Sequence, residues 1–142
     1  MKRILQFSQV LALALISISA VGCGSNNGPP TGEVHGQVTY NNEPVEGCSV
    51  VFTPKAGGRS SSAMTDAEGN YELKYTISTM GALVGQHRVE LFTAVQRVVN
   101  DEGVVKNEGR KEMLPKEYNS ATTQVAEVAA GDNTIDFHIT GK

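Results

Sequence analysis

Tryptophan is absent from the 142 residues, and all aromatics together make up only 6%. Few rings are therefore available to stack on sugars or bases. Charged residues are 19% and the formal net charge is −3. A nucleic-acid binder needs a basic stripe that such a balance does not supply. There are only two cysteines and three histidines. No two histidines stand at the short spacing of a local zinc site, which needs three or four converging ligands. No Gly-x-Ser-x-Gly elbow marks a hydrolase nucleophile. We expect no cofactor, no metal and no catalysis. Ser60-Ser61-Ser62 reads as a polar edge strand. What the chain does have is 15 glycines among many valines and threonines, a composition suited to a turn-rich β protein and not to an acidic disordered one.

The first 22 residues read as a leader. Met1-Lys2-Arg3 is a short positive start, and Val10 to Val21 is apolar but for two serines. As a helix that stretch reaches about 18 Å, short of the ~30 Å bilayer core, and it fits the apolar region of a secretory signal peptide. Ala20-Val21-Gly22-Cys23 resembles a bacterial lipobox. That resemblance implies a diacylglyceryl thioether on Cys23, often with a third acyl chain such as palmitate. Two chains hold stably where one is marginal, at about 0.8 kcal/mol per buried CH₂. Loss of the leader takes Lys2 and Arg3 away, so 12 basic residues fall to 10 against 15 acidic, a charge of −5. Nothing then draws the chain to anionic headgroups, and the lipid must do the holding. Gly24 after the cysteine favours the outer membrane where one exists. With Cys23 consumed, Cys48 has no disulfide partner. It sits in an apolar pattern as a small hydrophobe.

Residues 23–32 read as a Gly/Ser/Asn tether stiffened by Pro29 and Pro30. From 33 onward, short alternating runs follow one another with turn signals between them. Val34, Val38 and Tyr40 share a face; so do Cys48, Val50 and Phe52; so do Tyr71, Leu73 and Tyr75; so do His87, Val89 and Leu91; so do Ile135, Phe137 and Ile139. With Val45, these form the expected core, except His87, which points inward by parity and is expected at the core's edge. His35 and His138 point outward by parity. Residues 95–113 are polar and charged. A structureless loop of that length is unusual, and Val98, Val99, Val104 and Val105 flank Gly103, so a hairpin extension is expected. About seven strands spaced near 10 residues predict an all-β sandwich.

Three runs carry a family resemblance: Val34-His35-Gly36-Gln37-Val38, then Pro44-Val45-Glu46-Gly47-Cys48-Ser49-Val50-Val51-Phe52, then Thr65-Asp66-Ala67-Glu68-Gly69-Asn70-Tyr71-Glu72-Leu73. They resemble the carboxypeptidase regulatory-like (transthyretin-like, prealbumin-like) domain, over roughly 33–140. Gly85 to Val89 looks like the family's later G-x-Y-x-V strand. Leu114 to Asn119 resembles a motif of small bacterial lipoproteins of this type. The resemblance implies a seven-stranded, Greek-key-type β-sandwich over 33–142, and none of the matched residues is catalytic in the family. The Tyr-Arg-Gly-Ser end of the related 5-hydroxyisourate hydrolases is missing. The first strand also lacks the lysine that an internal isopeptide bond of related pilin-like domains needs.

The expected role is a lipid-anchored, non-catalytic module facing the periplasm or exterior, serving protein interaction, adhesion or a structural purpose, with an envelope protein met through loops on a rigid scaffold; a hydrolase is the remote alternative. The competing reading is a carbohydrate-binding module, with Phe92 and Tyr118 as the rings left over for stacking. Arg59, in the Gly57-Gly58-Arg59 loop, is a further candidate surface residue.

Overall fold

Gly36 shows how the sequence builds the fold. A Cβ added there would lie 1.9 Å from the carbonyl oxygen of Ile135 and 2.6 Å from its carbon. Only glycine lets the first and last strands approach so closely. The Ile135 oxygen turns away to accept the Tyr71 hydroxyl. The Gln37 amide finds Asp136 Oδ1 instead, at 2.8 Å.

The computed structural model describes residues 28–141. The expected leader over 1–22 and the expected lipid site at Cys23 lie outside the described residues. The chain is all-β. In order, the strands are β1 (Thr31–Tyr40), β2 (Glu43–Pro44), β3 (Ser49–Pro54), β4 (Ser61–Met64), β5 (Asn70–Glu72) and β6 (Ala82–Leu83). There follow β7 (Gly85–Phe92), β8 (Val98–Val99), β9 (Val105–Asn107), β10 (Val125–Val128), β11 (Gly131–Thr134) and β12 (Phe137–Ile139). A short 3-10 turn spans Lys116–Tyr118.

One sheet is organised on β1. It pairs antiparallel with β2, β5 and β6, and parallel with β11 and β12. The second sheet runs β10-β7-β3-β4, all antiparallel. The two enclose a single core in which Val34, Val38, Val50, Phe52, Leu73 and Leu91 have no exposed surface.

Several expectations need correction. The seven strands become twelve segments, because three of them are only two residues long and carry too short a pattern to read. The alternating run of Ile135, Phe137 and Ile139 is not one strand: β12 is Phe137–Ile139, and Ile135 lies in the break between it and β11. The tether ends earlier than residue 32, because Thr31 and Gly32 already pair with Leu83 and Ala82. Tyr75 is half-buried and outside the core cluster. β5 stops at Glu72, and the chain bends at Tyr75, whose amide bonds to the Thr79 carbonyl at 2.9 Å.

The turn Thr65–Asn70 shows what its motif does. Thr65 Oγ1 accepts the Cys48 amide at 2.7 Å and donates to the Val45 carbonyl. Asp66 Oδ1 accepts the amides of Glu68 (3.0 Å) and Asn70 (2.8 Å), an Asx turn. Gly69 has φ +77°, and a Cβ there would sit 2.5 Å from the Val38 carbonyl. Thr65, Asp66 and Gly69 thus each answer to a backbone group nearby.

Cys48 is fully buried. Burial pushes its thiol up to about 12; the Glu112 charge adds to the rise and Arg110 opposes it. A neutral, inaccessible thiol is a poor nucleophile. In a Cys23→Ala chain, Cys48 is expected to resist a thiol reagent at pH 8 and to react fully once urea unfolds the protein. Rapid labelling of the folded chain would contradict the packing described.

Candidate interaction surface

Past Phe92 the chain leaves the sandwich and returns at Leu114. Two charged side chains fasten that excursion. The Glu112 carboxylate accepts from the Thr93 hydroxyl at 2.6 Å and from the amides of Leu114 (2.9 Å), Met113 (3.0 Å), Thr93 (3.1 Å) and Ala94 (3.3 Å). Burial on its own raises the Glu112 pKa. The Thr93 hydroxyl and the amides of Leu114, Thr93 and Ala94 overcome that and hold the carboxyl below its ordinary range. Bonds to the ionised form act in that direction. The Arg110 guanidinium donates to three backbone carbonyls: Thr93 at 2.6 Å, Gly47 at 2.7 Å and Glu46 at 3.0 Å. The base closes with two bonds of 2.8 Å between Val95 and Arg110.

Beyond this clasp stands the expected hairpin. β8 and β9 pair antiparallel with a register shift at Val98/Val99. Asn100 Oδ1 accepts the Val104 amide at 2.8 Å in the turn, and Arg97 meets Glu108 across it at 3.5 Å. Among the described residues, β8 and β9 pair with no strand but each other. Val98, Val99 and Val104 are 43–51% exposed. A two-stranded hairpin is marginal by itself, so the clasp sets its position.

The three surface residues singled out from the sequence are not brought together. Phe92 is half-buried and stands in register with Ser49, at the start of β3. Arg59 lies in the loop past Pro54, beyond the other end of the same strand, about 17 Å away by strand rise. Tyr118 is half-buried, and its ring packs against the core. What sequence reasoning missed is Arg110, Glu112 and Thr93. The available signal was weak: Arg110 and Glu112 share a face by period two, and Thr93 continues the inward parity of Val89 and Leu91.

The histidines lie as parity suggested. The first and last strands do prove to be neighbours, yet no histidine meets another. His35 pairs with Asp132 (3.1 Å) and with Thr134 Oγ1 (3.0 Å). His138 Nδ1 lies 2.9 Å from Thr39 Oγ1, four residues along the strand. His87 is buried in the core, its ring centroid 5.8 Å from that of Phe52. Among the described residues, no three His, Cys, Asp or Glu side chains are placed to hold a metal ion.

No family model and no curated protein sequence matches this chain. Two solved structures are similar in trace. One is a DUF3823 family protein from Parabacteroides merdae ATCC 43184, 12% identical, with a TM-score of 0.40 over 80% of this chain and 47% of that one. The other is a 9R-lipoxygenase from Cyanothece PCC8801, 18% identical, with a TM-score of 0.39 over 79% of this chain and 16% of that one. This chain spans less than half the length of either.

Proposed function

We propose that the protein is a non-catalytic, lipid-anchored module of the bacterial cell envelope that works by binding another protein. The observation that carries this is the clasped hairpin: two exposed valines on β8 and a third, Val104, in the turn before β9, on strands that among the described residues pair only with each other, held at a fixed place by Arg110 and Glu112. Strand edges and apolar side chains presented together are the usual means of adding a partner's strand. The lipobox-like Cys23 supports the anchor, and a net negative mature chain leaves the lipid as the means of attachment. The resemblance to the carboxypeptidase regulatory-like family is supported by the backbone duties of Gly36, Thr65, Asp66 and Gly69.

Sugar binding through Phe92 and Tyr118 is less favoured, because both rings are half-buried and Tyr118 is engaged with the core. The test is a photo-crosslinking residue at Val99 in intact cells, with one at Ala67, on a distant turn, as the control. A discrete protein adduct at Val99, lost on Arg110→Met, is expected. Identical adducts at both positions, or a glycan adduct, would refute the reading. Cys23→Ala is expected to release the chain from the membrane fraction.

A further inference from the structure

Three depressions surround the base of the extension and run into one another. The first, about 560 Å³, includes Tyr40, Met113, Pro115 and Glu117 in its walls. The second, about 140 Å³, shares Tyr40 and Met113 with it and adds Glu43 and Glu46. The third, about 390 Å³, shares Glu46 and Arg110 with the second and opens onto Met64 and Val95. The result is one groove with two wide ends and a narrow middle. The middle has room for a main chain and little more, while the ends can take side chains.

The chemistry of the walls is consistent along the length. Met113, Met64 and Val95 are 47%, 64% and 40% exposed, unlike the sealed aliphatics of the core. Unbranched thioethers adapt to whatever apolar group is laid on them. Glu43, Glu46 and Glu117 are exposed carboxylates along the same walls. The one guanidinium present, Arg110, is held by the carbonyls of Thr93, Glu46 and Gly47.

We propose that this groove binds an extended cationic segment of the partner protein. One apolar side chain of that segment lies against Met113 and a second between Met64 and Val95. Its lysines or arginines face Glu43, Glu46 and Glu117. The inference rests on the protein-binding reading above and names the chemistry of the partner. An anionic headgroup or acidic glycan meets carboxylates here, and complementarity of charge is what selects against wrong partners.

The test uses the full chain in detergent and twelve-residue synthetic peptides carrying two leucines and four lysines. Counterparts have glutamate for lysine or serine for leucine. The lysine–leucine peptides are expected to bind, more weakly as salt rises, and both counterparts to fail. Glu46→Gln combined with Glu117→Gln, and separately Met113→Ser, are each expected to weaken binding about fivefold, equivalent to about 1 kcal/mol. Unchanged thermal unfolding would show these exposed changes to be local. No binding, equal binding of the glutamate peptides, or indifference to the groove variants overturns the proposal.

In cells, a photo-crosslinking residue at Met113 should capture the same protein as one at Val99. Capture at Val99 alone overturns the groove and leaves the protein-binding reading intact. Capture at neither position removes both. Lipid or glycan at Met113 overturns the groove.

Discussion

Gly36→Ala is expected to lower the free energy of unfolding by about 3 kcal/mol, at the upper end for overpacking by a single methyl. The reason is geometric. The new carbon would sit 1.9 Å from the Ile135 oxygen and 2.6 Å from its carbonyl carbon. Both belong to the backbone, and no flexible side-chain end can swing aside. Relief requires the last strand to move off β1. That motion pulls the Ile135 carbonyl from the Tyr71 hydroxyl and the Asp136 carboxylate from the Gln37 amide. The usual gain from a Gly→Ala change, less freedom in the unfolded chain, amounts to under ~1 kcal/mol and does not offset this. Urea unfolding should show a lower midpoint at unchanged slope, and the melting temperature should fall by roughly 10 °C. Gly28→Ala is the control, since nothing lies within 4 Å of its added carbon; its effect should stay within about 0.5 kcal/mol. Equal behaviour of the two variants would mean that the first and last strands do not approach as described.

The same glycine marks how far the sequence could be read. Alternation placed β3, β7 and the first strand. It put Val34, Val50, Phe52, Val89 and Leu91 inward, because each run is long enough to show a period of two. Parity also oriented the three histidines. The parallel pairing of β1 with β11 and β12 had no local signature: Gly32 and Gly131 are joined by nothing in the intervening pattern. Strands of two residues, such as Ala82–Leu83, exist only because a long neighbour offers them hydrogen bonds. Tyr75 continued an alternating run, yet the chain turned there to satisfy its amide at Thr79. The clasp was the hardest to see. Arg110 and Glu112 look like solvated charges in a polar stretch, and their partners are mostly backbone groups, which a sequence does not distinguish.

Arg110→Met should free the extension without unfolding the sandwich. Methionine keeps much of the stem and removes three donors, which leaves the carbonyls of Thr93, Glu46 and Gly47 without their guanidinium. Bonds to a charged group contribute about 1.5–3 kcal/mol each in favourable settings. Here the cost falls on a local opening, because the core aliphatics do not touch the change. Amide exchange at Val95 and Val104 is expected to quicken about 10–100-fold, while exchange at Val50, Val89 and Leu91 stays slow. Subglobal openings of this kind are read residue by residue in exchange data. A uniform increase across both sheets would mean that the extension is part of the cooperative core.

Acid separates the clasp from the core by pH. His87 Nδ1 donates to the Gly85 carbonyl at 3.0 Å, so the neutral ring leaves Nε2 as an acceptor, and that atom is buried without a partner. Burial pushes its pKa below the ordinary 6.5, partly countered by the Gly85 carbonyl and the Glu127 charge. The unfolded chain therefore binds the proton first. Stability is full above about 6.5 and declines as the pH falls below it. Glu112 is likewise held below its ordinary 4.5. Its contribution is complete above 4.5 and is lost as the pH drops through the lower folded value. Two steps should follow. The first is global, seen in the melting temperature below pH 6.5 and removed by His87→Leu, which also takes the unpartnered nitrogen out of the core. The second is local, seen as faster exchange at Val95 and Ala94 below pH 4.5. In Glu112→Gln the extension should already exchange fast at neutral pH, with no further acid step. A neutral amide offers a single acceptor oxygen where the carboxylate gathers four amides and a hydroxyl. If Glu112→Gln keeps the neutral-pH protection of Val95, the carboxylate is not what fastens the hairpin, and Arg110 holds it alone.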